Sequence, residues 1–188
     1  MAIKRYYATK DNTITNAFKS NLQTRGVSGN MGQSDILEVF SIYAQATTSS
    51  SELSRVLIEF DVTDINADRS SGVIPASGSV NFFLRMYNAR HSQTTPSNFT
   101  IVTTAVSQSW NEGLGLDMEN YSDLDASNWL SASDGTQWVN AAGAATPGGS
   151  YKTGSTASPS EYIFKQDFDT GFEDLEVDVS HLVEDWIK

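Results

Sequence analysis

Short apolar stretches separated by polar, turn-forming residues recur along most of this sequence. Residues 54–62 alternate strictly, so that Val56, Ile58 and Phe60 share one face and Leu57 points to the other. Runs of this kind, rich in β-branched and aromatic residues, predict β-strands. Five more segments have strand composition: 35–46, 79–88, 99–110, 161–168 and 175–179. The first of these five is long and apolar enough to predict a well-buried strand.

The segments between the predicted strands have the composition of loops. Residues 47–51, 68–72 and 92–96 are rich in Ser, Thr, Asp, Gly or Pro, which favour turns. Strands joined by such short linkers predict an all-β fold, specifically an antiparallel β-sandwich of jelly-roll type. Residues 180–188 alone have helical spacing, with Ser180 as the expected N-cap. We therefore expect one domain over residues 1–188 with a short C-terminal helix.

Residues 111–160 interrupt the strand pattern. They contain seven glycines and two prolines and no clear strand. A structureless connection of this length is unusual in a compact domain. The segment is predicted to be a loop-rich insertion, either a functional surface element or one that contains short helical turns, for example near residues 127–130.

Composition excludes several classes of function. The chain has 188 residues, a formal net charge of −11 and no cysteine. The charge disfavours binding to nucleic acids and to acidic membranes, and the missing cysteine removes thiol catalysis and zinc–thiolate sites. No apolar run approaches the roughly 20 residues that span a bilayer. The start carries the basic pair Lys4 and Arg5 without an apolar segment behind it, so no secretory signal is expected.

The residues that could support catalysis do not form a recognisable motif. The two histidines, His91 and His181, lie outside any nucleophile elbow, and the sequence has no G-x-S-x-G motif. Acidic pairs such as Asp117 with Glu119 are more typical of solvated loops than of the facing carboxylates that a glycosidase requires. No phosphate-binding glycine loop is present. We therefore expect a protein without enzymatic activity.

Calcium is the one metal for which the sequence offers a weak candidate site. Asp123 and Asp125 alternate along the chain, and Asp134 lies where a closing ligand could be. Asn128 occupies the place of the turn glycine of an EF-hand loop, and flanking helices are not predicted. No other cofactor is expected.

Three tryptophans, Trp110, Trp129 and Trp138, lie in or beside the insertion. Flat rings in such a position can stack on sugars or anchor a protein interface, which makes them candidate ligand or interface residues. A tryptophan at the base of a loop more often seals the edge of the core. Both roles are compatible with the sequence.

Several segments, in this order, resemble the DNRLRE repeat domain. The similar segments are Asn12 to Ile14, Asn30-Met31-Gly32 before residues 36–39, the run 54–62 beginning Ser-Arg and ending Phe-Asp-Val, residues 80–87, residues 106–112, and the D-V-S…W segment 177–186. The individual motifs are degenerate, so the resemblance lies in their order. It implies a jelly-roll β-sandwich related to carbohydrate-binding modules, without catalytic residues. It also implies that Arg55 is a structural residue that pairs near the start of its strand.

The sequence departs from this family at both ends. Secreted members carry signal peptides, whereas this chain starts at Met1 without one, and it stops at residue 188, where the family continues with further strands. A sandwich lacking those strands has unpaired edges. The expectation is therefore a truncated chain or one completed by a neighbouring subunit.

A signal-less, cysteine-free β-sandwich rich in Ser, Thr and Asn most resembles structural proteins of tailed, cyanophage-like phages. The leading hypothesis is a neck, tail or capsid-surface decoration component, made in the host cytoplasm and located in the virion. Its partners would be other virion proteins and copies of itself. The alternative is a carbohydrate-binding module that recognises cell-surface polysaccharide, and a glycan-degrading enzyme is the least favoured class.

Overall fold

The computed structural model describes residues 3–92, 94–152 and 162–187. Within them the chain forms nine strands and two helices. In chain order these are β1 (Ala8–Thr15), β2 (Ser41–Tyr43), β3 (Ser51–Phe60), α1 (Val62–Ser70), β4 (Phe83–Met86), β5 (Phe99–Thr104), β6 (Ser131–Ser133), β7 (Thr136–Gln137), β8 (Ile163–Phe168), β9 (Leu175–Asp178) and α2 (Ser180–Trp186). The predicted mainly-β fold is confirmed. None of the helices in these ranges is long and apolar enough to cross a membrane.

The chain divides into two compact units, each assembled from two separate stretches. The first unit consists of Met1–Phe60 with Val106–Tyr151, and the second of Asp61–Ala105 with Lys152–Lys188. The described part of the predicted insertion, residues 111–152, therefore falls almost entirely in the first unit.

The first unit is built on a three-stranded antiparallel sheet in the order β1-β3-β2. In its register Ala8 pairs with Phe60 at one end, and Tyr43 pairs with Ser51 at the other. A small hairpin, β6–β7, lies in the insertion. The buried core of this unit consists of Ile14, Leu57, Trp110, Trp129, Ala132 and Trp138. Three of the six core side chains are indoles, so burial of aromatic surface dominates the packing of this unit.

The alternation predicted along residues 54–62 is present in β3, but the apolar side chains on its two faces differ in how deeply they are buried. Leu57 is fully packed in the tryptophan core, whereas Val56, Ile58 and Phe60 are only half-buried. The face that carries fewer apolar residues in the sequence is the one that faces the core. Leu57 is buried because the tryptophans of the insertion pack against its side of the sheet.

Residues 127–130 do not form the helical turn that was one reading of the insertion. The side-chain Oδ1 of Asn128 instead accepts bonds from the backbone N–H groups of Leu130 and Ser131, both at 2.9 Å. Such a turn satisfies backbone donors locally without a helix. The last part of the insertion, residues 153–160, lies outside the described residues.

The second unit contains two antiparallel strand pairs, β4–β9 and β5–β8. Gln166 on β8 links the two pairs, since its side chain donates to the carbonyl of Asp174 at 2.8 Å and accepts from the N–H of Glu176 at 2.6 Å. The predicted C-terminal helix is confirmed as α2, whose Leu182 and Val183 are buried. The predicted N-cap was wrong: Val179 holds that position without a side-chain cap bond, and Ser180 is the first helical residue, whose Oγ accepts a bond from the N–H of Phe82 at 2.8 Å.

Helix α1 was not expected, because residues 68–72 were predicted to be a loop. Asp61 directly follows β3 and accepts a bond from the N–H of Thr63 at 2.8 Å, which caps the helix N-terminus. Only Ile65 of this helix is buried, so the sequence lacks the apolar stripe that marks a helix. Arg69 near its end forms an ion pair with Glu184, at 2.7 Å, on α2.

Three predicted strands are shorter in the structure than in the sequence pattern. The segment 79–88 is strand only over Phe83–Met86, and the segment 99–110 only over Phe99–Thr104. The segment 35–46 departs most, because only Ser41–Tyr43 is strand and none of its apolar side chains is fully buried. The prediction of a well-buried strand at 35–46 was wrong, since this segment lies at the edge of the sheet rather than inside it.

Glu173 in the second unit makes the stability of its turn depend on pH. Its Oε1 accepts bonds from the N–H groups of Thr170 at 2.8 Å and Asp169 at 3.2 Å. The Thr170 N–H is the main cause that lowers the pKa of Glu173 from 4.5 to about 2. A pKa lowered on folding contributes stability that is full above about pH 4.5 and is lost as the pH falls toward 2.

We expect Glu173→Gln to lose less stability than the wild type between pH 4.5 and pH 2. Urea denaturation at a series of pH values in this range measures the difference. Parallel curves for the two proteins would contradict the role of this carboxylate.

Candidate interaction surface

The three candidate tryptophans are core residues of the first unit. Trp110, Trp129 and Trp138 expose only 4%, 7% and 0% of their surface. The indole N–H of Trp138 donates to the carbonyl of Asn128 at 2.8 Å. Rings buried to this extent cannot stack on a sugar or anchor a partner, which corrects their assignment as ligand or interface residues. Their role is to seal the core beneath the insertion, the second of the two roles compatible with the sequence.

Arg55 is held between aromatic rings of the same unit. Its guanidinium lies 5.2 Å from the ring centroid of Trp129 and 5.0 Å from that of Tyr151. It also donates to the carbonyl of Gly148. The arginine thereby fastens the insertion to β3 through cation–π contacts and a charge-assisted bond.

We expect Arg55→Lys to lower the free energy of unfolding by about 1–2 kcal/mol, because a lysine ammonium lacks the planar surface that stacks between two rings. Arg85→Lys is the matched control, since Arg85 forms an exposed ion pair with Glu176, and surface pairs contribute about 0–1 kcal/mol. Urea denaturation measures both. Equal losses would contradict a special role for the stacked position.

A buried amide network holds the start of the insertion. Asn30 is fully buried, and its Nδ2 donates to the carbonyls of Glu112 at 2.7 Å and Ser127 at 2.9 Å. Its Oδ1 accepts from the N–H of Gly115 at 2.8 Å. Asn12, also fully buried, donates to the same Ser127 carbonyl at 2.9 Å. The Asn-Met-Gly segment singled out in the sequence therefore serves packing within this unit.

The candidate calcium ligands are not gathered into a site. Both carboxylate oxygens of Asp123 accept backbone bonds, from Leu114 at 3.0 Å and from Asp125 at 3.2 Å. Asp134 contacts this loop through its backbone N–H, which donates to the carbonyl of Asp125 at 3.3 Å. In the described ranges no three acidic, His or Cys side chains are grouped so that they could hold a metal. These aspartates shape turns instead.

The histidines and acidic pairs also have structural neighbours. The ring of His91 stacks on Phe172, and that of His181 stacks on Tyr162, both with centroids 6.1 Å apart. Asp117 Oδ1 accepts from two backbone N–H groups of its own turn. These contacts organise loops and helix ends.

The surface that stands out in the first unit is the outer edge of β2. Phe40 accepts a bond from the N–H of Ser54 at 3.0 Å, and Ala44 donates to Ser50 at 2.8 Å. Because inward and outward backbone groups alternate in an antiparallel pair, the N–H and C=O of Ser41 and Tyr43 point away from β3. Among the residues that the structure describes, no strand pairs with this outer side.

Exposed apolar side chains accompany this open edge. Val39 and Tyr43 expose 55% and 71% of their surface, and Ile36, further back along the chain, exposes 51%. The backbone of Glu38 bonds Thr13 on β1 and Ser54 on β3, so the segment before Val39 crosses the sheet and does not line the outer edge of β2. We call Val39, Ser41 and Tyr43 the β2 edge surface. An open strand edge beside grouped apolar side chains is typical of a protein–protein contact.

Two acidic residues in segment 35–46 indicate that the segment is not fully buried, although its apolar content favours burial. Asp35, Glu38 and Ser41 recur every third position within the apolar run. A strand buried on both faces would not carry two acidic residues in its first half. The spacing therefore excludes full burial, although it does not identify an edge.

The second unit has a shallow depression of about 240 Å³. It lies at the end of the β5–β8 pair and is lined by Asn98, Phe99, Thr100, Asp167, Phe168 and Asp169. Thr100 donates to Asp167 at 2.5 Å, and the rings of Phe99 and Phe168 stack with centroids 5.0 Å apart. Phe168 is buried, so the exposed polar side chains of Asn98 and Asp167 are the groups here that can contact a sugar.

Comparison of the chain with protein-family models, curated proteins and solved structures gives no match.

Proposed function

We propose that this chain is a non-enzymatic structural protein of a phage particle, a neck, tail or capsid-surface decoration component that acts through protein–protein contacts. The observation that carries the proposal is the β2 edge surface, which combines outward backbone groups at Ser41 and Tyr43 with exposed side chains at Val39 and Tyr43. A soluble monomer with no partner gains nothing from such an edge and risks aggregation through it. A protein that assembles with neighbours uses it.

The ordered resemblance to the DNRLRE repeat domain bears on the proposed fold and not on the choice of a phage particle. We propose a jelly-roll-type sandwich for the chain, supported by the antiparallel pairing of every strand pair in the described ranges. The proposed location is the virion, with synthesis in the host cytoplasm. Other virion proteins and copies of the same chain are the proposed partners.

Purified virions provide the direct test. Mass spectrometry of washed particles is expected to detect peptides of this chain at a fixed ratio to the other structural proteins. A particle reconstruction is expected to show the β2 edge surface covered by a neighbouring subunit. Virions that lack the chain would refute the proposal.

A carbohydrate-binding module is the second candidate, and the depression in the second unit favours it. The buried tryptophans cannot be its platform, so we place the glycan contacts at Asn98 and Asp167. Glycan-array binding is then expected to be saturable and to be lost in Asp167→Ala. Asp134→Ala, an exposed acidic position in the other unit, is the matched control. An array without saturable binding would reject this candidate.

A further inference from the structure

We propose that Asp134 and Gly135, in the β6–β7 turn, are a site of spontaneous aspartate isomerisation in the folded protein. In this reaction the backbone nitrogen of the residue that follows an aspartate attacks the side-chain carboxyl group. The reaction needs only water and the chain itself, so it does not depend on the proposed function. Its product is a first unit with a longer backbone at this turn.

Gly135 is the one glycine in the sequence that follows an aspartate or an asparagine. The chain has 13 glycines, and each of the others follows a residue of another type. A side chain on the following residue shields its backbone nitrogen and restricts the backbone angles, whereas glycine does neither. Attack on the neighbouring carboxyl group is therefore least hindered at this pair.

The fold leaves both reacting groups accessible. Asp134 and Gly135 form the two-residue link between β6 and β7. Both are exposed, and an added Cβ at Gly135 would meet no atom within 4 Å. Within the described ranges, no residue forms a hydrogen bond with the Asp134 carboxylate or with the N–H of Gly135. The two groups can therefore approach each other without breaking a contact of their own.

Other aspartates of the first unit lack this combination. The carboxylates of Asp117 and Asp123 accept backbone N–H groups of their own turns, at 2.8 Å and 3.2 Å. Such bonds hold a carboxylate away from the nitrogen of the next residue. Asp125 is exposed like Asp134 but precedes Ala126, which is buried. Asp125 is therefore the internal reference for an exposed aspartate without a following glycine.

The atoms balance without a further reagent. The Gly135 nitrogen bonds to Cγ of Asp134 and loses its proton, while the carboxyl group loses its hydroxyl, so one water leaves and a succinimide ring remains. One water then opens the ring. Cleavage of the bond between Cγ and nitrogen restores aspartate, whereas cleavage at the α-carbonyl carbon gives isoaspartate. In isoaspartate the main chain runs through Cβ and Cγ, so the composition is unchanged and the backbone gains one atom.

The longer backbone is expected to weaken this part of the first unit. Strands β6 and β7 pair through Ser131 with Gln137 and through Ser133 with Thr136. An extra backbone atom between the strands disturbs this register. The residue after β7 is Trp138, which is completely buried in the core. Isomerised protein is therefore expected to unfold at a lower urea concentration than fresh protein.

The test stores the full chain at neutral pH and follows isoaspartate over time. Peptide mapping by mass spectrometry, with fragmentation that distinguishes isoaspartate from aspartate, locates the product. We expect it to accumulate at residue 134 at least about tenfold faster than at Asp125, because only the former precedes glycine. A synthetic peptide of residues 129–139 gives the rate without the fold. The folded chain is expected to react at no less than about a tenth of that rate, because the turn has few contacts to hold it closed.

Two variants separate the chemistry from the turn. Asp134→Glu keeps the charge, but its longer side chain would have to close a larger and less favourable ring, so no isomer is expected at this position. Gly135→Ala keeps the aspartate and shields the nitrogen, so a rate at least about fivefold lower is expected. After storage, the urea midpoint of the wild type is expected to fall, whereas that of Asp134→Glu is expected to equal that of its fresh sample.

Three outcomes would overturn the inference. They are a stored chain without isoaspartate at residue 134, even where the free peptide forms it; equal accumulation at Asp125; and an isomerised wild type with an unchanged urea midpoint. The proposed function fails separately, when purified virions lack the chain.

Discussion

Replacing Trp138 by alanine is expected to lower the free energy of unfolding by about 3–5 kcal/mol. The indole is completely buried at the centre of the first unit's core, among side chains that include Ile14 and Leu57. Its removal leaves a cavity and also leaves the carbonyl of Asn128 without the donor 2.8 Å away. A buried acceptor without a partner adds about 1–3 kcal/mol to the cost. Urea denaturation followed by circular dichroism measures the loss.

Trp186→Ala is the matched control, because this tryptophan is 47% exposed on α2. We expect it to cost about 1 kcal/mol, in proportion to its smaller buried area. Trp138→Phe keeps most of the apolar volume and removes the N–H donor, so it is expected to fall between the two alanine variants. If Trp138→Ala costs no more than Trp186→Ala, the indole core does not hold this unit together.

Gly115→Ala is expected to destabilise the protein by about 3 kcal/mol or more. An added Cβ would lie 2.0 Å from the backbone oxygen of Asn30 and 2.7 Å from its Oδ1. The obstacle is backbone, so relief requires the insertion to move away from Asn30. That movement would also break the bond from the Gly115 N–H to Asn30 Oδ1.

Gly135→Ala separates this steric effect from the general cost of replacing glycine. Gly135 lies at φ +60° in the β6–β7 turn, and an added Cβ would meet no atom within 4 Å. We expect it to cost about 1 kcal/mol through backbone strain alone. Denaturation midpoints of both variants measure the difference. Comparable losses would show that the contact between residues 30 and 115 is not tight in solution.

Local patterns determined several features from the sequence alone. The alternation in residues 54–62 predicts β3, and the spacing of apolar residues after Ser180 predicts α2. Both succeed because a strand or an amphipathic helix repeats over a few neighbouring residues. Helix α1 was missed because a single buried residue, Ile65, gives no repeat to detect.

Only the tertiary structure decided which side chains are covered. The sequence shows that Leu57 faces away from Val56 and Ile58, but the tryptophans that cover Leu57 come from residues more than fifty positions later. For the same reason, the sequence alone is compatible with both a binding role and a core role for Trp138. Ile36, Val39 and Tyr43 of segment 35–46 are exposed because no distant part of the described chain packs over them. Burial depends on contacts between distant parts of the chain, and no short pattern contains that information.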